Sequence, residues 1–231
     1  MSKIILVTGA NQGIGFQFAK QLGELGHTVY LGARDIKKGE EAVAKIGLKN
    51  VHPLLLDVTK EESIKESVKK IQQEQKHLDV LINNAGIAKY EGKPEVDVDL
   101  LKDIFDTNVF GVVRVTNAFI PLLKSSSSPI VLNVSSTVGS TGFVSDPNTT
   151  ANSFLSYAAS KSALNTYSIL LSHLLQDVKV NFVSPGYCGT NLNNFAGTLD
   201  PKDTVKLMVE RVVFAETTGQ FYDYDGSKLD L

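Results

Sequence analysis

A chain of 231 residues, 42% hydrophobic and 21% charged, has the balance of a folded domain with a large core and excludes a disordered or low-complexity segment. A formal net charge of −2, with the basic residues scattered, offers no electrostatic footprint for nucleic acid, and no apolar run approaches the roughly 20 residues of a membrane span. The single cysteine, Cys188, excludes an internal disulfide, and His27, His52, His77 and His173 lie too far apart to suggest a metal site. Reduced sulfur and an N-terminus running from Met1-Ser2-Lys3 straight into an apolar stretch together predict a cytoplasmic protein without a leader.

In chain order, Ile4-Ile5-Leu6-Val7 marks a first strand over 3–8. Ile14, Phe18, Leu22 and Leu25 then recur at helical spacing, and Gly26 closes that helix. Strands follow at 28–33 and 51–57, with Lys37-Lys38 between them as a solvated helix face. Thr59-Lys60-Glu61-Glu62 has the pattern of a capping box ahead of a helix carrying Ile64, Val68 and Ile71. A strand over 79–84 precedes a long helix over 98–124; a strand over 129–135 and an irregular polar stretch, 137–154, precede a second long helix over 155–176. Strands at 178–184 and 219–224 bracket a second irregular stretch, 187–203, predicted to lie over the ligand side of the sheet. The strands read as continuous Val/Ile/Leu runs, as expected where both faces of a parallel sheet are covered. The prediction is an α/β chain, 1–231 as one doubly wound (Rossmann) domain, with a seven-stranded, mainly parallel sheet and helices on both faces.

The chemistry begins at Thr8-Gly9-Ala10-Asn11-Gln12-Gly13-Ile14-Gly15, between the first strand and its helix. Such a turn presents free backbone N–H groups and a helix N-terminus to a pyrophosphate, and glycine is required wherever a Cβ would meet phosphate or sheet. No Lys-Ser/Thr pair follows, so it is not a Walker loop. The second strand ends Ala33-Arg34-Asp35. An arginine here suits a ribose 2′-phosphate and predicts NADP(H), whereas a shift of one residue would bring the Asp35 carboxylate to a 2′-hydroxyl, as NAD(H) requires.

Tyr157-Ala-Ala-Ser-Lys161 sits in a helical pattern, so phenol and ammonium share a face. A neighbouring cation favours phenolate, which predicts a tyrosine pKa below its usual value near 10. Ser135-Ser136 ends the preceding strand, where a hydroxyl can donate to an oxygen gaining negative charge. With Asp57, Asn83-Asn84-Ala85-Gly86, Asn108 and Pro185-Gly186 followed by Thr190, these motifs resemble, in order and over nearly the whole chain, the short-chain dehydrogenase/reductase family, and within it the single-domain carbonyl reductases.

The resemblance implies hydride transfer between nicotinamide and a small, hydrophobic ketone or aldehyde, or the corresponding alcohol. Tyr157 would be the acid/base, Ser136 rather than Ser135 would polarise the substrate oxygen, Lys161 would bind the nicotinamide ribose, and Asn108 would hold a relay water. Gly9, Asn11, Gln12, Gly13, Ile14 and Gly15 would cradle the pyrophosphate, and Arg34 the 2′-phosphate. Asp57 and Val58 would meet the adenine, Asn84, Ala85 and Gly86 the adenosine side, and Pro185, Gly186, Cys188 and Thr190 the carboxamide. Gln12 departs from the basic residue that many NADP(H)-preferring members carry. Twenty-one residues separate Ser136 from Tyr157, longer than is usual in the family; related carbonyl reductases carry an insertion here that obstructs helix pairing, which favours a monomer over a homo-oligomer. Other readings are an NAD(H)-preferring alcohol dehydrogenase, a non-catalytic dinucleotide sensor, and a sugar-nucleotide epimerase, which the short chain disfavours. Tyr90, Phe143, Tyr187 and Phe195 either line an apolar pocket or are ordinary loop packing.

Overall fold

The computed structural model describes residues 2–93 and 95–231; Met1, where the N-terminal reading begins, lies outside them. Seven parallel strands, β1 (Ile4–Val7), β2 (Thr28–Ala33), β3 (Val51–Leu55), β4 (Val80–Asn83), β5 (Ile130–Val134), β6 (Lys179–Ser184) and β7 (Phe221–Asp223), form one sheet in the order β3-β2-β1-β4-β5-β6-β7. All seven fall inside the segments read from the sequence. Pro53 has no amide for a ladder, and it is tolerated because β3 is an edge strand bonded to β2 alone.

Helices α1 (Gly13–Glu24), α2 (Ile36–Ile46), α3 (Glu61–Gln75), α4 (Val98–Phe105), α5 (Gly111–Lys124), α6 (Thr141–Val144), α7 (Leu155–Leu174) and α8 (Pro201–Arg211) supply the crossovers. Alternate strand residues divide the core in two, as a period of two requires. Ile5, Val7, Val29, Leu31 and Ile82 pack under Phe18 and Leu22 of α1, Ala42 of α2 and Met208 of α8. Ile4, Leu6, Tyr30, Leu81 and Val131 pack under Ile64 and Ile71 of α3, Phe119 of α5 and Leu171 of α7. The doubly wound, both-faces-covered sheet is the architecture predicted, and it is parallel throughout.

Three local expectations are corrected. The long helix over 98–124 is broken by a π turn, Asp106–Phe110, in which the Gly111 amide reaches back to the Asp106 carbonyl. The anchor is Asn108, fully buried, whose side chain pairs with both the amide and the carbonyl of Ile87 and so demands an extra residue in the turn. The capping box at Thr59 does not form: Asp57 Oδ1 accepts from the Thr59 amide at 3.0 Å, the bond the box would give to Glu62, and from the Thr59 hydroxyl at 2.7 Å, and α3 starts at Glu61 behind an uncapped Lys60. The end of the 187–203 stretch is helical, because Asp200 caps α8 and Pro201 opens it.

Phe18 is fully buried at the centre of one layer. Phe18→Ala is expected to destabilise the chain by about 3–5 kcal/mol, read as a lowered urea midpoint with unchanged slope.

Candidate functional site

The strand order reverses between β1 and β4, so their crossovers leave on opposite faces and the chain parts above their carboxyl ends. Thr8 holds that parting in shape. Its amide donates to Ile82, and its Oγ1 accepts from the amides of Asn84 and Ala85, each at 3.0 Å. Asn84 Nδ2 donates in return to the carbonyls of Thr8 and Gly9. A cleft of about 540 Å³ opens here.

Gly9 has φ +61° and Gly13 φ +59°, and a Cβ on Gly9 would lie 2.8 Å from the Ala85 Cα. A Cβ on Gly15 would meet Asn84 Nδ2 at 2.5 Å and the Gly9 carbonyl at 2.7 Å, so the turn tolerates no side chain at either place. Where α2, α4 and α8 each begin with a capping aspartate, α1 begins at Gln12 with no side-chain cap and no acid in its first turn. Its first amides face the cleft unanswered, which is the chemistry that receives a pyrophosphate. Thr190, on the segment after β6, has its methyl 3.5 Å from where a Cβ on Gly13 would be, bringing that segment over the glycine turn.

At the outer end of the cleft, β2 closes with Ala33 as read, and Arg34 is exposed at the rim. Asp35 is occupied as the cap of α2, accepting from the amides of Lys37 and Lys38 through Oδ1. Lys38, which the sequence suggested was a plain solvated face, lines the cleft beside Arg34. Asp57, Val58 and Thr59 form the opposite wall.

At the inner end, Tyr157 and Lys161 project from one face of α7, with Lys161 Nζ 5.6 Å from the phenol ring centroid. Lys161 is 4% exposed and donates to the Val134 carbonyl at 2.8 Å; burial lowers its pKa to about 8. Burial pushes the Tyr157 phenol up to about 12, with the Ser136 hydroxyl pulling the other way. The expected depression of the phenol pKa is not found: loss of hydration is the largest influence and raises it. Ser135 is committed elsewhere, donating to Asn165 Oδ1, whereas Ser136 faces Tyr157. Asn108 donates to Ser160 Oγ at 3.0 Å, and Ser160 in turn to the Tyr157 carbonyl at 2.7 Å.

The sequence model of short chain dehydrogenases matches residues 3–198. The chain belongs to the short-chain dehydrogenase family. It is thus an enzyme of an oxidoreductase family. The short-chain dehydrogenase anuI of Penicillium roqueforti is 31% identical to it over 239 residues, spanning 98% of this chain and 93% of that one. Among solved structures, the NADPH-bound carbonyl reductase from chicken fatty liver superposes with a TM-score of 0.90 at 27% identity, covering 100% of this chain and 99% of the other. The carbonyl reductase Sniffer of D. melanogaster superposes with a TM-score of 0.87 at 26% identity, covering 100% of both.

Of the residues singled out in this short-chain dehydrogenase, Gly9, Asn11, Gln12, Gly13, Ile14, Gly15, Arg34, Asp57 and Val58 all border the cleft, as do Asn84, Ala85, Gly86, Tyr157, Lys161, Pro185 and Thr190. Asn108 lies one layer behind. Three residues are not brought to the wall: Ser136 stands behind it, its hydroxyl beside the Tyr157 phenol, while Ser135 lines the cleft in its place; Gly186 turns, at φ +70°, against Leu199 and Tyr224; and the Cys188 thiol points inward, 3.0 Å from the Pro185 carbonyl and 3.1 Å from Thr204 Oγ1. For the last two the reason is a bridge between Cys188 and Leu199 that folds the 187–203 segment back on itself. Reasoning from sequence missed Lys38, Thr107, Asn191 and Leu192 on the lining. Only Lys38 carried a signal, one helical turn beyond Arg34.

Between pH 8 and 10.5 the unfolded chain holds the Lys161 proton more tightly than the folded one, so stability rises with pH across that window. Below it the buried cation costs the folded state about 3 kcal/mol. Lys161→Met is expected to raise the urea midpoint at pH 7 and to remove that rise, as followed by circular dichroism from pH 7 to 10.5.

Proposed function

We propose that this short-chain dehydrogenase is an NADP(H)-dependent carbonyl reductase acting on small, hydrophobic ketones or aldehydes. The observation that carries the reading is a phenol and an ammonium, Tyr157 and Lys161, on the wall of a cleft that also holds an uncapped glycine turn, with the Ser136 hydroxyl beside the phenol. The cofactor supplies or accepts a hydride when bound. Ser136 donates a hydrogen bond to the substrate oxygen, drawing charge onto it. Tyr157, held protonated at neutral pH by its burial, donates its proton to that oxygen, which as an alkoxide is far more basic than a phenolate. A phenol poised this way suits reduction. Lys161 holds the ribose and offers a cation to the phenolate left behind, and Asn108 fixes the back of the helix through Ser160 and holds the relay water.

Arg34 and Lys38 give two cations at the rim for a 2′-phosphate, and Asp35, which also lines the cleft, has one carboxylate oxygen engaged as the cap of α2. Asp57 and Val58 take the adenine, Asn84 to Gly86 the adenosine side, and Pro185 to Thr190 the carboxamide, Cys188 by its backbone alone. The likeness to an NADPH-bound carbonyl reductase supports the same choice of cofactor. The substrate segment is 187–203, with exposed Tyr187, Leu192 and Phe195; Tyr90, on the loop after β4, and Phe143, on α6, are exposed as well.

A panel of hydrophobic carbonyls assayed with NADPH and NADH in parallel tests the reading, and a clear preference for NADH overturns the choice of cofactor. Tyr157→Phe is expected to lower kcat by about 10³-fold while NADPH still binds within about twofold of wild type, measured by nucleotide fluorescence. Arg34→Ala with Lys38→Ala is expected to raise KM for NADPH by about tenfold or more and to leave that for NADH nearly unchanged.

A further inference from the structure

The helix that carries Tyr157 begins without a cap of its own. Phe154 stands at its N-cap with φ −138° and ψ 46° and offers no side-chain acceptor, although α7 runs for 20 residues and leaves a full first turn of amides to satisfy. The acceptor arrives from 65 positions earlier in the chain. Glu91, on the loop after β4, takes the Ser156 amide on Oε2 at 2.8 Å and the Ser156 hydroxyl on Oε1 at 2.7 Å. Ser156 is fully buried, so its hydroxyl has no water to turn to and depends on that carboxylate. The same loop is stitched down on either side: the Glu91 amide donates to the Ser153 carbonyl at 2.9 Å, and the Tyr90 ring meets Phe154 edge-on at 5.7 Å.

Ser156 is the residue immediately before Tyr157. The loop that bears Glu91 starts as the cleft wall, with Asn84 to Ala88 along it, and Ile87 is the partner of Asn108. Tyr157 is therefore held from two sides by one loop: ahead through Ser156 and Glu91, and behind through Ser160 and Asn108.

We propose that Glu91 is a positioning residue for the reaction, a cap supplied in trans that sets where α7 begins and hence where the Tyr157 hydroxyl stands relative to the cofactor wall. This rests on the acid/base role proposed for Tyr157. Glu91 does not touch the reacting atoms; it acts through the backbone of Ser156. A displacement of the phenol by a fraction of an ångström weakens proton transfer without altering the nucleotide turn, which is built from other residues.

The test is steady-state kinetics on Glu91→Ala and Glu91→Gln, with NADPH affinity from nucleotide fluorescence and amide hydrogen exchange over 152–160. Glu91→Ala is expected to lower kcat about 30-fold, to leave the NADPH Kd within about twofold, and to speed exchange at Ser156 and Tyr157. Glu91→Gln recovers most of the loss, since its amide oxygen accepts from the Ser156 amide and its NH₂ donates to the Ser156 hydroxyl. Should Glu91→Ala fail to fold, Glu91→Asp, with the charge kept and the reach shortened by a methylene, carries the same expectation of lowered kcat at unchanged Kd. A folded Glu91→Ala or Glu91→Asp enzyme with kcat within twofold of wild type overturns the proposal, as does a Gln variant no better than Ala. Tyr157→Phe in the same series separates the two readings. If it keeps full carbonyl reduction, the acid/base assignment itself falls; if it is inactive while Glu91→Ala is normal, only the role of Glu91 falls.

Discussion

Everything at the site depends on keeping the chain apart above β1 and β4. The hydrophobic layers on the two faces of the sheet would gain by closing that gap, and side chains filling it would do so. What prevents it is a set of polar ties, Thr8 to Asn84 and Ala85, and Asn84 back to Thr8 and Gly9, which satisfy the strand ends at a fixed separation. The glycines complete the constraint: with atoms 2.5–2.8 Å from any added Cβ on Gly9 or Gly15, the backbone is already at contact distance, and the amides of α1 are left to face outward.

The second consequence concerns charge. Lys161 is held nearly dry against the Val134 carbonyl, at a cost in stability, and Tyr157 shares its desolvation. Both shifts push toward the neutral forms of the two groups, so the pair holds its proton on the phenol and carries a cation that is easily discharged. Holding both groups out of water is at the expense of the folding free energy of the helix that carries them. The stabilising contacts of α7 are correspondingly spread along its whole polar seam, from Ser156 and Ser160 to Asn165 and Ser168, each paired with a residue from another element.

Much of this was legible without coordinates. Central strands covered on both faces are largely apolar, so β1, β4 and β5 announced themselves as runs of Val, Ile and Leu, whereas the edge strands β3 (Val-His-Pro-Leu-Leu) and β7 (Phe-Tyr-Asp) carry the pattern more weakly. The glycine turn, Arg34, Ser136 and the Tyr157–Lys161 pair were legible because each is a local pattern: a turn that needs glycine, a residue at a strand end, or two residues one helical turn apart. The π turn at Asn108 was not, since its cause, the amide and carbonyl of Ile87, lies 21 residues away in the chain. The capping pattern at Thr59 misled for a related reason: Asp57 and Glu62 are rival acceptors for the Thr59 amide, and only geometry says which one takes it.

The amino-acid sequence by itself determined the order of elements, the doubly wound sheet, the family, and the residues from which a dinucleotide cleft is built, because period, glycine and strand-end chemistry act between near neighbours. Tertiary structure alone decided that the Cys188 thiol faces Thr204 and not the cleft, that Asp35 caps α2 through one oxygen while Lys38 joins Arg34 on the cleft wall, that burial raises the phenol pKa, and that Glu91 completes α7. Each of these is a competition between partners far apart in the chain, and its outcome depends on distance and desolvation, which no linear pattern records.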